Sequence, residues 1–391
     1  MTTNGGRSVL VRNSQALHSS PSDENATSRL VGSRGAMIDT VCNLVILVND
    51  CYARPEGEES EMTEPGKHWT GIDVDQRGRV LLARIDGGPR AEFSREIAAD
   101  LSELVTRATE DEGVGAVVLT GTHPTRFIGH AEVGWLKELG AASPPIGRRA
   151  ASVVLRAAGA GRRTPGVRHI IERSRLGDAV GYLSFHDTML QMNTSGAAFV
   201  AALNGSALGA GSELALACDY RFMADGDHVI GQPEILLGFP PGGGGTQRLS
   251  RLVGTHRAMT MMLEGAGLDP QSAAQIGYID EVVDPDSLIE RAVAHADRLA
   301  RRVKDAVAAV KRSAYLGGSQ TLERGLHLER AEFLSSIGQP GAQQAMAAYI
   351  EQTAVLDDLP AYDKDTFARM RADGTSGLGS DIAGTNASPP T

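Results

Sequence analysis

Two short apolar runs, Ile72-Asp-Val-Asp75 and Val80-Leu-Leu-Ala-Arg-Ile85, flank Gln76-Arg-Gly-Arg79 and predict a hairpin. From Phe93 to Thr109 the apolar residues Ile97, Leu101, Leu104 and Val105 recur at helical spacing. Val114–Thr120 and Ala197–Leu203 are continuous apolar runs of strand length, the pattern of strands covered on both faces in a parallel sheet. A helix is expected over Leu183–Met192 and a further strand over Tyr220–Ala224. Beyond these, the spacing predicts one long helix over Thr246–Glu264, a short helix over Pro270–Ile276 and a strand over Gly277–Val283. Two amphipathic helical stretches follow, Leu288–Ala314 and Leu322–Leu356. Strands alternating with helices imply an α/β fold.

Composition divides the chain. Residues 1–66 are rich in Ser, Thr, Asn and Gly and end in the acidic run Glu56-Gly-Glu-Glu-Ser-Glu61, which predicts a disordered extension. Its first 35 residues carry Arg7, Arg12, Arg29 and Arg34 with few acids, a pattern shared with organelle transit peptides, and no secretory signal is expected. The apolar run Cys42–Val48 is far shorter than the roughly 20 residues that span a bilayer. Residues 67–285 are expected to form the core, 286–360 a helical C-terminal region and 361–391 a mostly disordered tail. Within the core, Glu138 to about Arg175 concentrates eight arginines and three prolines. It is read as a mobile surface loop, with a basic lid for phosphates as the alternative. It contains no Phe, Tyr or Trp for stacking on bases, and the formal net charge of the chain is −10, so neither nucleic acid nor a membrane surface is an expected partner. The three cysteines, Cys42, Cys51 and Cys218, have no metal-site spacing, and no metal is expected. A reducing compartment fits them, the cytoplasm first and the mitochondrial matrix as the alternative.

The stretch with chemical character is Asn204-Gly-Ser-Ala-Leu-Gly-Ala-Gly-Ser-Glu213-Leu-Ala-Leu-Ala-Cys218-Asp219. A buried strand leads into a turn with Gly205, Gly209 and Gly211, and from about Ala210 the spacing is helical. The first turn of such a helix leaves free N–H groups that can hold a developing negative charge. Glu213 lies within that turn, and a second acid, Glu234, begins the Gly/Pro-rich passage that runs to Thr246. Two carboxyls in apolar, glycine-bounded settings suit acid–base chemistry with shifted acidities.

At Ala201–Asp219, Gly231-Gln-Pro-Glu-Ile-Leu-Leu-Gly238 and Gly242-Gly-Gly-Gly-Thr-Gln-Arg-Leu249 the sequence resembles the crotonase superfamily, and specifically enoyl-CoA hydratases, from about Trp69 to Leu356. The resemblance implies ββα repeats forming a spiral core with a C-terminal helical trimerisation region, as a homotrimer or a dimer of trimers. It implies hydration of an enoyl-CoA thioester with no cofactor, coenzyme A being part of the substrate. By position it implies Glu213 and Glu234 as the catalytic pair and the backbone N–H groups of Ala131 and Ala210 as the oxyanion hole. Gly129, His130, Gly209, Gly211, Gln232, Pro233 and Gly242 would contact substrate, and Phe333 would wall a neighbouring subunit's site. From the residues alone His130 is read as a solvated or locally capping histidine, with a catalytic role as the alternative. Isomerisation, thioester hydrolysis and non-catalytic binding are the competing functions.

Overall fold

The computed structural model describes residues 69–142, 146–162 and 177–374. The chain divides into two units, Met1–Lys67 and His68–Thr391. The expected disordered extension, the Cys42–Val48 run and the tail beyond residue 374 lie outside the described residues.

Strands β1 (Ile72–Arg77) and β2 (Val80–Ile85) form the expected antiparallel hairpin, turning at Gly78 with a positive φ of 61°. Helix α1 (Arg95–Glu110) starts where the Ser94 side chain accepts the Ile97 N–H, and its buried stripe is Ile97, Leu101, Leu104, Val105 and Ala108. Three β-β-α passages follow. The first is β3 (Ala116–Gly121), β4 (Arg126–Ile128) and α2 (Val133–Ala142). Helices α3 (Arg148–Arg162) and α4 (Gly177–Met192) then lead into β5 (Ala198–Leu203), β6 (Ser206–Leu208) and α5 (Ala210–Ala217). The third is β7 (Tyr220–Ala224), β8 (Ile230–Gly231) and α6 (Gly245–Val253).

Each passage gives one strand to a six-stranded sheet, ordered β1-β2-β3-β5-β7-β10 with β10 at Glu281–Val283, and one to a four-stranded sheet, β4-β6-β8-β9 with β9 at Gly267–Leu268. The long-sheet pairings from β2 to β10 are parallel. Alternate residues of its strands feed two different cores. Val117, Leu119, Phe199, Ala201 and Leu203 face α1, α5 and the small sheet, whereas Val118, Val200 and Ala202 pack on Leu288, Ala292 and Ala296 of a later helix. Burial on both faces is why β5 reads as an unbroken apolar run.

Four expectations need correction. The single helix over Thr246–Glu264 is two, α6 and α7 (Thr255–Glu264), broken at Gly254 with φ 85°. After β9 (Gly267–Leu268) and α8 (Pro270–Gln275), β10 spans only Glu281–Val283, because the Gly277 amide and its positive φ of 77° belong to the turn that ends α8. The C-terminal region holds four helices before residue 360: α9 (Leu288–Ala300), α10 (Lys304–Tyr315), α11 (Leu322–Ile337) and α12 (Pro340–Leu356). Pro340 sits at the first position of α12, where its missing N–H costs nothing, and so divides the second stretch. The tail begins with α13 (Lys364–Asp373), capped by the Asp363 side chain and held by Arg302, which donates to the carbonyls of Met370 and Arg371.

The Arg-rich insertion likewise contains helix α3 and is not a loop over Arg148–Arg162. Ala158 is fully buried, and α3 packs along α4 near Leu183. Residues 143–145 and 163–176 of the insertion lie outside the described residues.

Candidate active site

The two acids are brought together by adjacent strands of the small sheet. β6 pairs with β8 in parallel, with Leu208 opposite Gly231, and the Gly209 N–H donates to the Gly231 carbonyl at 3.1 Å. Glu213 therefore rises in the first turn of α5, above β6, while Glu234 opens a short 3₁₀ turn above β8. Every residue of α5 is buried, which explains why its sequence shows no polar face. Gly209 stands between the acids: its carbonyl accepts the Glu213 N–H, and a Cβ on it would lie 3.3 Å from Glu234 Oε1. Its φ of 50° with ψ of −121° is a conformation that suits glycine.

The carboxyls differ in their partners. Glu213 is 4% exposed, and its Oε1 accepts from the N–H groups of Gly243 (2.7 Å) and Gly245 (2.8 Å). Burial pushes its pKa up to about 7; the Glu234 charge adds to the rise, while the two N–H bonds and the Arg248 guanidinium oppose it. Glu234 is 8% exposed, and its Oε2 has no partner among the described residues. Burial also raises its pKa, against a backbone hydrogen bond and His130. A buried carboxyl oxygen with no donor favours the protonated acid, whereas one accepting two N–H bonds is equipped to carry charge.

The backbone donors follow from strand geometry. β4 lies beside β6 in parallel, and the Leu208 N–H donates to the Gly129 carbonyl. Ala131 and Ala210 are each two residues beyond that link, in neighbouring segments running the same way. The bridge between Ala131 and Phe93 uses the His130 carbonyl and the Glu132 N–H, so the Ala131 N–H is left over. Ala210 is the first residue of α5 and has no intrahelical acceptor. Among the described residues neither amide donates a hydrogen bond to another group. Gly211 packs its Cα directly on the Ile128 carbonyl, which seats the start of α5 against β4.

The other expected contacts separate into two groups. Gly129, His130, Gly209 and Gly211 cluster where β4 meets the start of α5. His130 is exposed, and its Nδ1 is 2.8 Å from the Ala131 carbonyl. Gln232, by contrast, is fully buried and does not face an open cleft: its Nε2 donates to Ser212 Oγ (2.9 Å), which meets the Tyr278 hydroxyl at 2.5 Å. Pro233 is half-buried beside it. The Gly242 carbonyl is engaged by α4, accepting from the Tyr182 hydroxyl (2.7 Å) and lying 2.6 Å from His186 Nε2. Phe333 on α11 is 58% exposed.

Sequence reasoning did not single out Tyr182, Phe185, His186, Asn193 or Arg248. Arg248 bonds Asn193 Oδ1 through Nε (3.1 Å) and Nη2 (2.9 Å) and the Gly243 carbonyl through Nη1 (3.2 Å). The available signal was the i, i+4 spacing of Tyr182 and His186 on one helix face.

These features recur in known proteins. Residues 168–356 match the family model described as Enoyl-CoA hydratase/isomerase. The mitochondrial enoyl-CoA hydratase of Pongo abelii is 37% identical over 153 residues, 39% of this chain and 52% of that protein. The short-chain-enoyl-CoA hydratase of Clostridium acetobutylicum is 27% identical over 286 residues, 73% of this chain and 96% of that protein. At identities near 37–39% the chain thus spans little more than half the length of the curated relatives it matches. The solved structure of an enoyl-CoA hydratase from Bacillus anthracis superposes with a TM-score of 0.57 at 27% identity, over 72% of this chain and 96% of that one. With the two-sheet ββα core, these matches support placing the chain in the crotonase superfamily, close to the enoyl-CoA hydratases.

Proposed function

We propose that the protein hydrates a trans-2-enoyl-CoA thioester to a 3-hydroxyacyl-CoA. The observation that supports this most is the unequal pair of acids on either side of Gly209, one holding two N–H bonds and one with an unpartnered oxygen, beside two free backbone amides. Glu213 orients a water molecule and takes its proton as the oxygen bonds to Cβ. The π electrons of the C=C bond move onto the thioester oxygen, where the Ala131 and Ala210 N–H groups stabilise the enolate; an oxyanion donor of this type typically contributes about 10²–10³ in rate. Glu234 then delivers its proton to Cα as the carbonyl re-forms. The net change is addition of one water; Glu213 ends protonated and Glu234 ionised, and proton exchange with solvent restores both.

Isomerisation needs only one carboxylate, so the pair favours hydration over double-bond migration. Thioester hydrolysis and non-catalytic binding leave the second acid without a task. No cofactor takes part, since coenzyme A enters with the substrate. The assembly we propose is a homotrimer or a dimer of trimers. Exposed Leu322, Phe333, Leu334, Ile350 and Val355 on α11 and α12 supply the apolar surface for it, and Phe333 reaches a neighbour's site. A cytoplasmic setting completes the proposal, consistent with Cys218 as a free, buried thiol. No helix among the described residues is long and apolar enough to cross a membrane.

The test is loss of the enoyl-thioester absorbance on a panel of acyl-CoAs with purified protein. Turnover to the 3-hydroxy product is expected. Conversion to a 3-enoyl product, or release of free coenzyme A, would replace hydration with a rival reaction.

A further inference from the structure

The loop Gly242–Gly245 supplies both N–H donors to Glu213, yet four consecutive glycines have the greatest conformational freedom a chain can offer. Something must hold it. The Gly242 carbonyl and the Gly243 N–H are opposite ends of one trans peptide unit. The N–H end points to Glu213 Oε1 at 2.7 Å. The carbonyl end meets Tyr182 Oη at 2.7 Å and His186 Nε2 at 2.6 Å, two side chains one turn apart on α4, whose rings also pack edge to face at 4.6 Å. A carbonyl oxygen has two lone pairs, and here each is taken by a side-chain donor. Because the acceptor is a carbonyl, His186 Nε2 carries the proton. Gly242 is exposed, so water would satisfy its carbonyl; the two side chains add a fixed direction.

We infer that Tyr182 and His186 are positioning residues, which grip one end of the Gly242–Gly243 peptide so that its other end stays aimed at the Glu213 carboxyl. This rests on the proposed function only in calling Glu213 a catalytic base. Donation to the carbonyl polarises the amide and strengthens its N–H as a donor, because hydrogen bonds in a chain reinforce one another. Phe185, between the two on α4, closes over the same spot: a Cβ on Gly243 would lie 2.8 Å from its Cε1. From the next turn of chain, Arg248 holds the Gly243 carbonyl. The titratable groups facing Glu213 are Glu234 from the 3₁₀ turn, Arg248 from α6, Tyr182 from α4 and Tyr278 from the turn after α8. Burial lowers the His186 pKa, and Nε2 donates to the Gly242 carbonyl whether the ring is neutral or charged.

The deciding measurement is the ionisation midpoint of the Glu213 carboxyl in substrate-free protein, read by infrared difference titration against Glu213→Gln. With both grips removed (Tyr182→Phe with His186→Leu), the N–H loses its aim, the anion loses support and the midpoint rises by about half a unit or more. Each single variant shifts it less, and His186→Gln, whose amide can still donate, shifts it less than His186→Leu. In turnover, kcat falls about three- to tenfold while KM stays within about twofold. A simple docking role for α4 would instead lower the melting temperature and leave the midpoint in place. An unmoved midpoint in the folded double variant overturns the inference. Should that variant fail to fold, Tyr182→Phe, which deletes one oxygen from a partly exposed ring, decides in the same way. If the wild type hydrates no enoyl-CoA and the midpoint still moves, the proposed function fails and the positioning role stands.

Discussion

A side chain on Gly243 and the Glu213 carboxylate cannot coexist: a Cβ there would lie 2.5 Å from Glu213 Oε2. The glycine is required by close approach, and its amide is one of the two donors to that carboxylate. Gly243→Ala should keep the fold and displace Glu213, lowering kcat about a hundredfold, since misplacements of about 1 Å carry costs of that order. Thermal melting and steady-state kinetics on the same preparation check this. Near wild-type turnover would mean that the loop yields without moving the acid.

Glu213→Gln and Glu234→Gln preserve volume and remove proton transfer. Each should lower kcat by about 10²–10⁴ with KM nearly unchanged. Because both act on one water and one substrate, the double variant should be little worse than either single one. A rate that survives either substitution removes that residue from the mechanism. Loss with Glu234→Gln alone would point to isomerase chemistry.

The same acids set the pH dependence. Glu213 must be ionised to act as base, and its pKa is pushed up to about 7, so kcat/KM should rise as the pH climbs through about 7. Glu234 must be protonated to act as acid, and burial raises its pKa from the ordinary carboxyl value, so its own ionisation works against that rise. The two ionisations belong to the coupled pair and not to one residue each. A profile flat from pH 5 to 9 would contradict the assignment.

Stability should follow the opposite sign. Glu213 has a folded pKa above its unfolded value of 4.5, so the unfolded chain ionises first as pH rises. Stability is lost between about pH 4.5 and 7, and the full penalty, on the order of 3 kcal/mol, applies above that window. Glu213→Gln does not carry it. The variant should therefore unfold at higher urea than the wild type at pH 8, with the difference shrinking at pH 5. An equal difference at both pH values would remove the carboxyl from the account.

Away from the site, Lys311 is buried and bonds the Asp219 carboxylate (2.7 Å) and the Ala197 carbonyl (2.8 Å). Asp219 also accepts from the Phe199 N–H and the Tyr315 hydroxyl. Lys311→Met should cost on the order of 3 kcal/mol by leaving that carboxylate short of a counter-charge, and adding Asp219→Asn should recover part of it. Urea unfolding of the two variants measures both effects.

The strand β5, the turn at Gly209 and the start of α5 at Ala210 were legible because burial and glycine geometry leave a direct mark on residue type. Both acids stand out by their glycine-bounded, apolar settings, the two backbone amides were expected only through the resemblance, and strand register brings these groups to neighbouring positions. The breaks at Gly254 and Pro340 were missed because helical stretches continue on both sides of each. Helix α3 was hidden by arginines and alanines that give little hint of which face is covered. Gln232 was expected as a substrate contact only through the resemblance; the packing turns its Nε2 inward to Ser212. The grip of Tyr182 and His186 on Gly242 had no trace in the apolar pattern, because a bond to a backbone carbonyl leaves no complementary residue type to find.

The Asp219–Lys311 pair also bears on how the chain is made. Lys311 leaves the ribosome 92 residues after Asp219. Until it arrives, the carboxylate that accepts the Phe199 N–H at the edge of β5 lacks its lysine partner. The strands and acids of the site are all synthesised before the charge that locks them. A nascent chain that stalls before α10 would thus hold every described strand of both sheets without that counter-charge.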